Sequence, residues 1–60
     1  MTSTEEEILK RLIDIKNLAK KASNDFLHEK DREIKESLIL LDKDIWEVYN
    51  LLEMKEKNQV

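Results

Sequence analysis

Glycine, proline and cysteine are all absent from this 60-residue chain. Without glycine or proline, the residues that shape tight β-hairpins are missing, and nothing interrupts a long helix. Without cysteine there is no disulfide, no thiolate nucleophile and no zinc finger. The single histidine, His28, leaves no partner for a soft-ligand metal site. Long apolar runs are also missing. The longest, Leu38 to Leu41, is four residues, against the roughly 20 that a membrane-spanning helix needs. Met1 to Glu7 is acidic rather than basic, so no signal peptide is expected. An intracellular, cytoplasmic protein without a membrane segment is expected.

What the chain does have is charge. Asp, Glu, Lys and Arg make up 42% of the residues and apolar side chains 40%, a balance that suits long helices with one apolar side. The apolar content is periodic, which argues against disorder. The fold class expected is all-α. A chain this short forms one domain and buries only about 60% of the surface it would expose unfolded. Small scaffolds usually add a disulfide, a metal or a second chain to compensate, and here association is the remedy that the composition leaves open.

The apolar positions fix the architecture. Ile8, Leu12, Ile15, Ala19, Ala22 and Phe26 are spaced 4, 3, 4, 3, 4, a heptad seam on one side of a helix. Ile34, Leu38, Leu41, Ile45, Val48 and Leu52 repeat the spacing, but the step from Phe26 to Ile34 is eight residues, so no single register holds both sets. Paired across an antiparallel hairpin, 8/52, 12/48, 15/45, 19/41, 22/38 and 26/34 each add to 60. The spacing therefore predicts one hairpin domain over 1–60. Helix 1 runs from about 4 to 28, a turn from 28 to 31 has Asp31 as N-cap, and helix 2 runs from 32 to 57. Ser23-Asn24-Asp25 is a rival turn site on capping chemistry, but a break there would leave Phe26 out of the seam. Thr2, Ser3 and Thr4 each have a Glu three residues on, so a capping box can form in more than one register. Glu5, Glu6 and Glu7 suit the positive end of the first helix dipole, and Lys55 and Lys57 the negative end of the second.

Several large side chains fall outside both seams. Leu9, Ile13 and Leu27 lie about 100–140° round from the first seam, and Ile39, Trp46 and Tyr49 about 60–140° round from the second, in the same sense. These six are the candidate protein interface on one side of the hairpin, with Ile13 and Trp46 expected at one height. The other side carries Leu18, Leu40 and Leu51 among Arg11, Asp25 and Asp44, and reads as the weaker surface. Trp46 is either a volume-filling core or dimer residue or an anchor in a groove of a different protein, where Trp and Tyr dominate.

No catalytic constellation is expected. His28 falls at the turn, and Ser3, Ser23 and Ser37 are not placed with it and an acid as a triad. Asp25-Phe26-Leu27-His28 has the acid-x-x-His spacing of carboxylate-bridged metal bundles, but both ends project away from the helix 1 seam. No metal, cofactor or small-molecule substrate is therefore expected. Lys10, Asn17, Lys21, Asn24 and His28 line the outer face of helix 1, a polar stripe suited to phosphates. Asp14 and Glu6 interrupt it, and the formal charge of −3 opposes a polyanion.

In length, turn position and heptad seam the chain resembles the plasmid copy-number Rop family, whose hairpins pair into a four-helix bundle and bind RNA hairpins along one face. The resemblance is architectural and spans the whole chain. It implies a homodimer, with RNA or DNA contact through Lys10, Asn17, Lys21 and Asn24. The leading expectation is a non-catalytic helical module that self-associates into a four-helix bundle or acts as a regulatory adaptor. The alternative is an accessory subunit docked on a larger protein, such as a nucleic-acid-processing enzyme.

Overall fold

The computed structural model describes residues 2–57, and it is a hairpin of two helices packed side by side, α1 (Ser3–Leu27) and α2 (Asp31–Lys57). Helix α1 begins on the first of the three possible registers. Thr2 is the N-cap, its hydroxyl accepting from the Glu5 backbone N–H at 3.1 Å while the Glu5 carboxylate accepts from the Thr2 backbone N–H at 3.4 Å. This reciprocal box satisfies two otherwise unpaired donors at the helix start.

The reversal is tight. Helix α1 ends at Leu27, and Glu29 takes a left-handed backbone with φ of 56°. That geometry lets the Lys30 N–H reach the Asp25 carbonyl at 2.9 Å and the Glu29 N–H reach the Phe26 carbonyl at 3.2 Å. These are the two bonds of a Schellman termination, usually made with glycine at the left-handed position. The turn thus falls where the index pairs place it, and Phe26 stays helical. Asp31 is not the N-cap but the first residue of α2, because the Lys30 carbonyl already accepts from the Ile34 N–H at 3.1 Å.

The interhelical contact differs from the expected seam by a rotation of each helix. With Ile8 labelled position d of a heptad, the residues turned inward are d (Ile8, Ile15, Ala22 and Ile34, Leu41, Val48) and g (Arg11, Leu18, Asp25 and Ser37, Asp44, Leu51). The a positions expected to share the seam, Leu12, Ala19, Phe26, Leu38, Ile45 and Leu52, are exposed, Leu12 by 47% and Phe26 by 71%. Among the described residues only Ile8 and Val48 are buried apolar residues, and Asp25, placed by spacing on the outer side, is 5% exposed.

Two features account for the rotation. Along each helix the apolar residues spread from d and a round to Leu9 and Tyr49 at e and Ile13, Leu27, Ile39 and Trp46 at b, interrupted by Lys16, Ser23, Lys35 and Asp42 at e. That arc of about 150° is wider than one neighbouring helix covers. The pair closes on the d edge of that arc. On the g side stand the groups that join the helices by charge, where Arg11 donates to Glu7 on its own helix at 3.0 Å and to Asp44 across the gap at 3.2 Å. Small side chains at Ala22 on the d edge and Ser37 on the g edge leave little bulk between the helices.

Removing the left-handed strain and removing the cap should move stability in opposite directions. Glu29→Gly is expected to raise the urea-unfolding free energy by about 1 kcal/mol. Thr2→Ala is expected to lower it by a similar amount, about 1 kcal/mol. Both are read from denaturant titrations at one fixed protein concentration.

Candidate protein-interaction face

The rotation that closes the hairpin on d and g sorts the remaining side chains by angle. Measured from the middle of the contact, position a lies about 80° round, e about 130° and b about 180°. The six a residues therefore form one strip down a broad side of the hairpin, contributed by both helices. At the turn end this strip is concave, where Ala19, Ala22, Phe26, Leu27, Leu38 and Leu41 line a shallow apolar hollow. At the open end Ile8 and Leu52 lie together between Glu5 and Lys55.

The six interface candidates read from the sequence are all exposed, and the structure divides them. Leu9 and Tyr49 stand at e and border the strip. Leu27, at b in the last turn of α1, lines the hollow. Ile13, Ile39 and Trp46 are also at b, on the backs of their helices and away from the partner helix. Trp46 and Tyr49 touch edge to face, with ring centroids 5.7 Å apart and planes at 71°, the geometry favoured by aromatic quadrupoles. That pair connects the back of α2 to the rim of the strip. The a strip itself was not singled out as a surface because its residues were assigned to the hairpin's own seam. The signal that would have separated them is the complementary charge at g, where Arg11 on one helix stands against Asp44 on the other.

The opposite broad side is ionic. Arg11, Asp14, Asn17, Leu18, Lys21, Leu40, Lys43 and Asp44 line a groove of mixed charge between the helices. Desolvation works against the Arg11 guanidinium, but Glu47, Glu7 and Asp44 outweigh it and hold the group above its ordinary pKa. The nucleic-acid candidates Lys10, Asn17, Lys21 and Asn24 are exposed along this flank. Lys21 is engaged there, its Nζ 2.8 Å from the Asp25 carboxylate. That bond makes the Lys21 pKa higher than usual. Asp25 is therefore an ion-pair partner in the hairpin contact, while His28 caps the end of α1.

Because Lys21 gains its proton affinity in the folded state, its contribution to stability is complete below the ordinary lysine pKa and disappears as pH rises through the raised folded value. The difference in thermal midpoint between the native chain and Lys21→Gln should hold steady from neutral pH to about 10 and then close. A difference that persists unchanged as pH rises through the lysine range would contradict this pairing.

Among the described residues no helix is long and apolar enough to cross a membrane, and no group of three or more His, Cys, Asp or Glu is gathered as a metal site. No protein-family model, no curated protein and no solved structure matches this chain.

Proposed function

We propose that the chain is a small, non-catalytic helix-binding module that self-associates into a four-helix bundle and acts through protein–protein contact. One observation supports the reading: among the described residues the hairpin buries only the apolar side chains Ile8 and Val48, while a whole heptad strip stays open to solvent. Two helices held by so few buried side chains are short of the burial that small domains need. An apolar strip of this length is the kind of surface that monomeric soluble proteins avoid. Covering it with two more helices removes both deficits at once.

Sedimentation equilibrium tests the assembly. At micromolar concentration the 7.2 kDa chain should run at about twice its mass, and its thermal midpoint should rise with concentration, as mass action requires of a fold completed by association. A well-folded monomer with a concentration-independent midpoint would overturn the reading.

A second reading, docking on a larger protein, is favoured by Ile39 and Trp46, which remain 70% and 59% exposed on the back of α2. A bundle formed through the a strip leaves them outside. Under this reading Trp46→Ala abolishes capture of the larger protein in affinity purification from the source cell and leaves the sedimenting mass unchanged. Undiminished capture would exclude it.

A further inference from the structure

We propose that the strip of Leu12, Ala19, Phe26, Leu38, Ile45 and Leu52 is covered by the same strip of a second copy, with the two turns at opposite ends of the bundle. This rests on the self-association reading above and adds to it the surface and the direction of pairing.

Size and self-complementarity favour a second copy as the occupant. The hairpin measures 48 × 17 × 11 Å, so its broad side offers on the order of 800 Å², the area per partner of a standard stable interface. A two-fold contact lays the same patch on itself, so the patch must complement its own inverted image. Two arrangements put face on face. With the axis across the helices, α1 lies over the second α1 and the turns are at opposite ends. With the axis along the helices, α1 lies over the second α2 and the turns are together.

Core volume decides between them. The hairpin has six levels, and both of its small apolar residues, Ala19 and Ala22, lie in the half nearer the turn. Turns together would put two alanines into each of two adjacent levels and two copies of Phe26 into the last, thin beside thick. Turns opposite put Ala22 against Leu12 of the second copy, Ala19 against Ile15 and Phe26 against Ile8. Every level then holds at most one alanine and at most one phenylalanine. Even layers let four helices run at constant separation without voids or strain. The hollow at Ala19 and Ala22 becomes the socket for Leu12 of the other copy. Tyr49 rims the contact, and Trp46 remains outside it.

The absence of cysteine allows one spin label per copy, placed at the turn with Lys30→Cys. Pulsed electron–electron resonance on the labelled assembly should give a separation of about 35–45 Å, one helix length, against less than about 20 Å for turns together. Trp46 emission should stay red-shifted across the assembly transition. Leu12→Glu should weaken association at least tenfold, and Trp46→Ala by less than about threefold. A short label distance in an intact dimer would overturn the direction of pairing and leave self-association standing. A blue shift of Trp46 on assembly, or association indifferent to Leu12→Glu, would overturn the choice of face. A folded monomer would overturn this proposal together with the reading beneath it.

Discussion

The apolar arc on each helix is wider than one helix-to-helix contact can cover, and the rest of the structure depends on that mismatch. A pair of helices can bury the d edge of the arc or its middle, but not all of it. By closing on d and g, the hairpin brings Arg11 between Glu7, Asp44 and Glu47 and buries Asp25 beside the Lys21 ammonium. The cost is that the a strip faces water. The chain has therefore set the Arg11 and Asp25 ion pairs along the hairpin contact and left its best hydrophobic surface outside.

Such an arrangement assigns different tasks to the two kinds of interaction. Ion pairs at partly exposed positions contribute little net stability, but they are specific. Arg11 reaches Asp44 and Glu47 only in one axial register and one rotation of the helices, so the charges fix which edge of each helix meets the other. Hydrophobic contact is nearly indifferent to rotation over this wide arc and supplies the driving force. Under the proposed self-association, a hairpin specified by charge and incomplete in burial would couple its folding to its assembly.

Most of the architecture could be read from the sequence because it follows from spacing. The mirror-image heptads placed the turn, and the structure reverses the chain within residues 28–30. Rotation was not readable by the same means. Period 3.5 defines an apolar arc, and the d residues Ile8, Ile15, Ala22, Ile34, Leu41 and Val48 belong to any seam drawn on it. Whether a or g joins them depends on polar side chains that a hydrophobic pattern treats as blanks. Arg11, Asp25 and Asp44 were read as interruptions of a weak surface, yet together with Ser37 they share the contact. Two of them, Asp25 and Ser37, are among its most buried residues. The left-handed residue at the turn was hidden for a related reason. No glycine marks it, and Glu29 accepts φ of 56° because two backbone hydrogen bonds on either side hold it there.

The same angular argument divides the candidate interface. Six side chains assigned to one surface by their common sense of rotation become two groups once the contact is measured from d and g. Leu9 and Tyr49 stand at the margin of the strip and Leu27 lines its hollow, whereas Ile13, Ile39 and Trp46 stand on the backs of their helices. A rotation of only part of a turn in the hairpin contact thus moves Trp46 from the centre of an expected interface to the back of a helix. The edge-to-face contact with Tyr49 keeps the two regions mechanically linked, because a ring at the rim of the strip rests on a ring outside it. The contact thus joins a residue at the rim of the strip to one on the back of α2.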